Sequence, residues 1–295
     1  MLKEYEFQDK VMGTDFIISL ITDNESLALS GFNQALGIAR AYESRFSRFL
    51  KNSELSILNK EKDLVVSDTF LKIFSVAENL YKETKRIFNP LLQVETVGYV
   101  SDFSSMEKDI KKIKDISYDS NWENISVDKD SKKVRLASNQ KLDFGGFLKG
   151  YVAEDIVNIL KYDFAGIIVN IGGDIFTCGN DENGKAFNFS VFNPISKRES
   201  ENILVNNEAI ATSGTYKRKW LVDNKEVFHI LDSEKLTNPT TDLVSATVIA
   251  PHGYLAEAYA TVSICLGLQN ATKILDEKRF RYVLINTDGL VFKNT

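Results

Sequence analysis

Between Leu142 and Asp155, an acid, paired glycines, a lysine and a further glycine run directly into an apolar helical face. Asp143, Gly145, Gly146, Lys149 and Gly150 precede Val152, Ile156 and Ile159. This is the pattern of a loop entering a helix N-terminus. Glycines there let the backbone approach a ligand, while free N–H groups, the helix dipole and Lys149 all favour negative charge, phosphate above all. The spacing matches neither a Walker loop nor G-x-G-x-x-G, so a helix entered through a tight glycine turn accounts for it as well. Glu257 and Thr261 stand four residues apart, which puts both side chains on one face of a helix. A carboxylate and a hydroxyl so placed can share a hard cation, which takes oxygen ligands and keeps positions for water or phosphate. Such pairs are also common on plain helix surfaces. His229, one of two histidines, titrates near neutrality and can carry a proton, although a lone histidine is more often structural.

These groups need elements to hold them. Phe16, Ile18 and Leu20 mark a strand, and Asn24 or Asp23 caps a long helix with Phe32, Leu36, Ala39, Tyr42 and Phe46 along one side. Asn52 or Ser53 caps a short helix. A further helix opens at Asp68 and ends near Ile87, stopped by Phe88-Asn89-Pro90. Val97-Gly98-Tyr99 lies in the next loop, where the ring serves turn packing or stacks on a ligand. Residues 122–136 read as a hairpin. After the central helix, residues 166–171 form a strand that runs into Gly172-Gly173-Asp174, where glycines permit a close backbone approach. Strands follow around Phe187 to Val191 and Ala209 to Thr212. Lys219 to Val222 pairs with Val227 to Leu231, placing His229 on the second strand, and Val244 to Ala250 is a strand too. The helix from Gly253 carries Glu257, and a hairpin from Tyr282 to Phe292 closes the chain. No long linker, repeat or low-complexity segment is visible, so one α+β unit over residues 1–295 is the economical architecture.

Bulk properties narrow the classes. The chain has 295 residues, 43% hydrophobic and 26% charged, enough for a large core. A net charge of −5 argues against a nucleic-acid or membrane-surface binder. The lysine-rich stretch from Lys108 to Lys114 is interrupted by acids and reads as a solvated face. Cys178 and Cys265 offer neither metal spacing nor a disulfide framework, so buried free thiols are expected. Gly13, Thr14 and Asp15 interrupt the early apolar segment, so no signal peptide is read there, no lipid-attachment cysteine lies near the start, and no run has transmembrane length. A cytoplasmic location is the expectation, compatible also with a removed leader.

Several stretches, in this order and spacing, resemble the FAD:protein FMN transferases of the ApbE family over almost the whole chain. They are Val11-Met12-Gly13-Thr14, Ser53-Glu54-Leu55 with Leu58-Asn59, Phe88-Asn89-Pro90, Asp143 to Gly150, Asn170 to Ile175, Ala211-Thr212-Ser213-Gly214, His229-Ile230-Leu231-Asp232 and Glu257-Ala258-Tyr259-Ala260-Thr261. The resemblance implies an α+β fold with a largely antiparallel sheet, packed helices and an FAD pocket between lobes. It implies an enzyme that uses Mg2+ to transfer FMN from FAD to a Thr or Ser hydroxyl of an acceptor flavoprotein, releasing AMP. Carried over by position, Met12, Phe49, Gly98, Tyr99, Asp143, Lys149 and Ile230 border FAD, with Lys149 nearest the diphosphate. Glu257, Thr261 and the Gly146 carbonyl hold the metal, and His229 and Lys149 are the catalytic candidates.

The sequence departs from the family pattern at three places. Glu257 stands where the family usually has Asp, Asn89 where Asp is frequent, and Ser233-Glu234-Lys235-Leu236 where a proline and glycine are common. A flavin-binding protein without catalysis, or an FAD pyrophosphatase, would show the same motifs.

Overall fold

The computed structural model describes residues 1–99, 109–110 and 118–295. Apart from residues 109–110, the lysine-rich run from Lys108 to Lys114 lies outside these. The strands are β1 (Lys3–Val11), β2 (Thr14–Thr22), β3 (Asp63–Val65), β4 (Asp109–Ile110), β5 (Ser126–Asp128), β6 (Lys133–Arg135), β7 (Gly166–Ile171), β8 (Asp174–Gly179), β9 (Phe187–Asn193), β10 (Arg198–Val205), β11 (Ala209–Gly214), β12 (Lys219–Val222), β13 (Lys225–Phe228), β14 (Leu243–Ala250), β15 (Arg281–Asn286) and β16 (Val291–Lys293). The helices are α1 (Glu25–Phe46), α2 (Glu54–Glu61), α3 (Asp68–Glu83), α4 (Leu148–Leu160) and α5 (Gly253–Lys278). The chain divides into two compact units. One comprises Met1–Ala41, Phe147–Tyr216 and Thr240–Thr295, the other Tyr42–Gly146 and Lys217–Pro239, with the boundary falling inside α1.

The first unit is built on an eight-stranded sheet in the order β1-β2-β7-β8-β11-β14-β15-β16, antiparallel at every pairing. The fold is therefore α+β with a large antiparallel sheet, as expected. Helices α4 and α5 pack on this sheet. The β9–β10 ribbon also covers it, through Val191, Ile203 and Val205 packed with Ile210, Ile249, Val283 and Ile285. Every residue of β14 is consequently buried, which is why the strand reads as an apolar run instead of an alternation. Each of its Leu, Val and Ile side chains withdrawn from water contributes about 1.5–3 kcal/mol. β1, β8 and β10 add partners that the apolar pattern alone did not mark, because β1 and β10 have exposed, charged faces.

In the second unit α3 buries Phe70, Ile73, Phe74, Ala77, Leu80 and Tyr81, with Phe74 and Tyr81 on Trp122 at centroid distances of 4.9 and 5.5 Å. Phe144 packs edge-on to Phe46 at 6.0 Å and against Phe70 at 5.8 Å, anchoring the glycine loop that follows it. Ser53 caps α2 by accepting from the Ser56 N–H at 3.0 Å, and Asn24 caps α1 from the Leu27 N–H at 3.1 Å. Helix α3 stops at Glu83, short of the expected Ile87. The Thr84 hydroxyl donates to the Leu80 carbonyl and accepts from the Phe88 N–H, while Lys85 and Arg86 turn left-handed at φ 52° and 74°. The 122–136 hairpin is confined to β5 and β6, and Trp122 opens a single tight helical turn. Cys178 and Cys265 form no disulfide among the described residues and are only partly buried. Among the described residues no helix is long and apolar enough to cross a membrane.

Candidate functional site

The first turns of α4 and α5 cross at two glycines. A Cβ on Gly150 would strike the Gly253 carbonyl, and one on Gly253 would strike that of Gly150, so neither position tolerates a side chain without moving a helix. Each helix then caps the other. The Gly150 N–H donates to Glu257 Oε2 at 2.8 Å, and the Gly253 N–H donates to Glu154 Oε2 at 2.9 Å. Lys149 bonds Glu257 Oε1, and His252 Nδ1 lies 2.8 Å from Glu154 Oε1. The rings of Tyr151 and Tyr254 meet at 6.3 Å. This reciprocity follows from an internal repeat, Lys149-Gly150-Tyr151-Val152-Ala153-Glu154 and His252-Gly253-Tyr254-Leu255-Ala256-Glu257. The expectation of a chain without repeats is thus corrected: the period is long and the unit only six residues, so a scan for architectural repeats passes over it.

Glu257 is not a surface residue, for it is 4% exposed. The flanking Ala256, Ala258 and Ala260 keep α5 close enough to its neighbours to bury it. Burial is the main force pushing its carboxyl up to about 7, with the negative charge of Asp174 adding to it and Lys149 and the Gly150 N–H opposing. In the unfolded chain this group returns to an ordinary value of 4.5, so between the two the folded protein binds more protons than the unfolded one. Stability from this group is therefore full below the lower value, falls as pH rises and levels off above the upper. Urea unfolding without divalent cation should give a higher midpoint near about pH 5 than near about pH 8. Glu257→Gln should flatten that dependence.

Asp174 opens β8, and its Oδ2 lies 2.6 Å from Nζ of Lys149. The Gly172-Gly173 turn before it is held by the Gly173 N–H donating to Asn170 Oδ1 at 2.8 Å, with Gly172 at φ 67° pressed against Thr14. Met12, at φ 55°, and Gly13 form the β1–β2 turn at the same end of the sheet, because Phe16 pairs with Ile171 and Ile171 with Asp174. Thr261 Oγ1 lies 3.0 Å from Ser213 Oγ at the end of β11. The structure thus brings Lys149 and Glu257 together, with Asp174 and Ser213 as additions that the sequence motifs contained but single-residue reasoning did not assign.

The remaining candidates lie in the second unit, where Arg48 organises several of them. Its guanidinium sits 4.4 Å from the centroid of the Phe49 ring and 4.8 Å from that of Tyr99. It approaches Asp143 Oδ2 at 3.3 Å and donates to the Tyr99 carbonyl at 3.1 Å. Phe49 and Tyr99 meet edge-on at 6.4 Å, Phe49 being 41% exposed. Gly98 takes φ 88° to turn the chain into Tyr99, which packs on Trp220 at 5.6 Å. Asp143 Oδ1 accepts from the Gly145 N–H at 2.9 Å, and Gly146 is the last residue of its segment in this unit. Only Arg48's place beside Phe49 hinted at this role.

His229 does not lie on the strand: β13 ends at Phe228, and Ile230 is buried in coil. The cause is Asn238, whose side chain takes the place of a pairing strand. Its amide donates to the carbonyls of Phe228 at 2.6 Å and Ile230 at 2.7 Å, and its Oδ1 accepts from the Phe228 N–H at 3.0 Å. Asn238→Ala leaves these partly buried groups unsatisfied and should lower stability by about 1–3 kcal/mol, measurable as a reduced urea midpoint.

Two of the departures have local explanations. Asn89 donates through its amide to the Ser120 carbonyl at 2.9 Å while accepting from the Leu91 N–H at 2.9 Å, a double task that an aspartate cannot perform. The loop after His229 closes on Asp232, which accepts from the N–H groups of Glu234 and Lys235 at 2.9 Å each, and Leu236 supplies the left-handed residue at φ 57°.

The chain belongs to the ApbE family, whose sequence model matches residues 12–284. An FAD:protein FMN transferase of Buchnera aphidicola subsp. Schizaphis graminum is 25% identical over 79% of this chain and 72% of its own length. One from Haemophilus influenzae is 24% identical over 99% and 90% respectively. In fold, the chain is similar to the ApbE protein of Thermotoga maritima, with TM-score 0.87 and 21% identity over 99% of this chain and 97% of that one. The apo flavinyl transferase ApbE of Pseudomonas stutzeri gives TM-score 0.84 and 17% identity over 100% and 95%.

Proposed function

We propose that this chain is an FAD:protein FMN transferase that works with Mg2+, modifies a Thr or Ser hydroxyl of an acceptor flavoprotein and releases AMP. The observation that carries the proposal is the meeting of Lys149 and Glu257 where two helix N-termini cross, in a chain of the ApbE family. The donors there fit a hard cation. Glu257, Asp174, Thr261 and Ser213 present carboxylate and hydroxyl oxygens without a soft ligand, which suits magnesium better than zinc. Glu257 and Thr261 on α5 would hold the ion, with Asp174 across Lys149 from Glu257. When bound, Mg2+ supplies charge neutralisation across the diphosphate.

The protein's own groups supply the rest. Lys149 and the N–H groups of the α4 entrance stabilise charge that develops on phosphate oxygens. The acceptor oxygen bonds to the FMN-side phosphorus as the bond from that phosphorus to the bridging oxygen breaks. AMP departs with the bridging oxygen, and the hydroxyl proton passes to a base, a role we assign to His229. Met12, Gly98, Ile230 and the Phe49–Tyr99 pair are assigned to the flavin nucleotide, with Arg48 fixing both Asp143 and the Tyr99 main chain.

Purified protein incubated with FAD, Mg2+ and an acceptor flavoprotein domain tests this. An FMN-sized mass added to the acceptor together with AMP is the expected result. AMP with free FMN and no adduct would mark a hydrolase, and FAD left intact would mark a flavin-binding protein.

A further inference from the structure

The twinned clasp separates what the helix crossing requires from what it does not. Lys149–Glu257 has its counterpart in His252–Glu154, and that second pair completes its half of the clasp at the surface, with side chains 47% and 16% exposed. Asp174 has no counterpart in the repeat. It arrives from the β7–β8 turn, 6% exposed, and sets Oδ2 2.6 Å from the Lys149 ammonium. Lys149 is therefore held between two carboxylates, with all three side chains at most 14% exposed.

If the ammonium leaves such a place, two desolvated carboxylates face each other unless a proton or another cation replaces it. A divalent ion cannot enter while the ammonium stays, since like charges would meet within a few ångströms. We propose that Lys149 is a resident cation displaced by the divalent ion: the ion takes the place between Asp174 and Glu257, and the freed ammonium turns to the FAD diphosphate. Asp174 is then the residue that couples cation binding to FAD binding. This inference rests on the FAD and cation assignments above.

Mn2+ binding without FAD, followed by electron paramagnetic resonance, tests it. Lys149→Met removes the competitor and should tighten Mn2+ binding about tenfold or more. Asp174→Asn should weaken Mn2+ binding and, by loosening Lys149, strengthen FAD binding in the absence of metal. Unchanged or weaker Mn2+ binding in Lys149→Met overturns the inference. Should that variant fold poorly, the wild-type protein gives the answer through amine acetylation read by mass spectrometry. Mg2+ without FAD should raise the labelling of Lys149 severalfold, and unchanged or reduced labelling overturns the inference. Absence of Mn2+ binding to wild type and variants alike overturns the cation assignment itself. Mn2+ binding that is indifferent to Lys149 removes the inference alone.

Discussion

Glu257→Ala is expected to lower the rate of FMN transfer by about 10²–10³-fold, the scale seen when one charge-organising group is removed from an active site. The substitution takes away three things together: the carboxylate assigned to the cation, the acceptor for the Gly150 N–H, and one of the two partners of Lys149. Glu257→Gln separates them. Its amide oxygen still accepts from Gly150, so the clasp holds while the charge is lost. Transfer should fall nearly as far as in the alanine variant, with thermal stability close to wild type. Glu257→Asp draws the carboxylate back by about one bond length, roughly 1.5 Å, from a Gly150 N–H it now reaches at 2.8 Å. In this chain the glutamate is matched to the width of the crossing, so the aspartate variant should be slower than wild type. Initial rates of acceptor modification at saturating FAD rank the three variants.

Gly150→Ala should damage the fold before it damages the chemistry. The added methyl meets the Gly253 carbonyl, a backbone atom that cannot rotate aside. The helices must separate, which stretches both reciprocal caps and exposes Glu257. Overpacking of this kind costs about 3 kcal/mol or more, equivalent to a melting temperature about 6–12 °C lower in a domain of this size. Gly253→Ala should give a matching loss, since the repeat places it in the same relation to Gly150. Differential scanning calorimetry of both variants checks the magnitude and the symmetry. If Gly150→Ala alone is destabilising, the helices are not held by a two-sided clasp.

Elements with a buried face and a capping residue were legible in the sequence. The apolar spacing of α1 and α3 announced itself, as did Asn24 and Ser53, each as one of two capping candidates. A hairpin after Val222 was also legible, although its turn is only Asp223-Asn224, at φ 48° and 61°, and its second strand begins at Lys225 instead of Val227. Motif order brought Lys149 and Glu257 under suspicion, and local pattern explains why no more was visible. Whether Glu257 is buried depends on two glycines and three alanines letting helices approach, a tertiary fact that the spacing of Glu257 and Thr261 does not contain. Asp174 was read as part of a turn because its partner Lys149 lies 25 residues earlier. Asn238 ends β13 through side-chain bonds that mimic a strand, so a purely apolar count ran the strand on through His229. Arg48 carries no motif of its own, and its place follows from the tertiary approach of Phe49, Tyr99 and Asp143 around it.

The most direct test is a crystal structure of the protein grown with FAD and Mn2+, with the manganese located by anomalous scattering. The account predicts a manganese peak bonded to Glu257 and to an oxygen of the FAD diphosphate, with Lys149 moved off Asp174 onto the phosphates. A bound FAD whose diphosphate lies away from Lys149, with the lysine still between Asp174 and Glu257 and no manganese beside them, would contradict it.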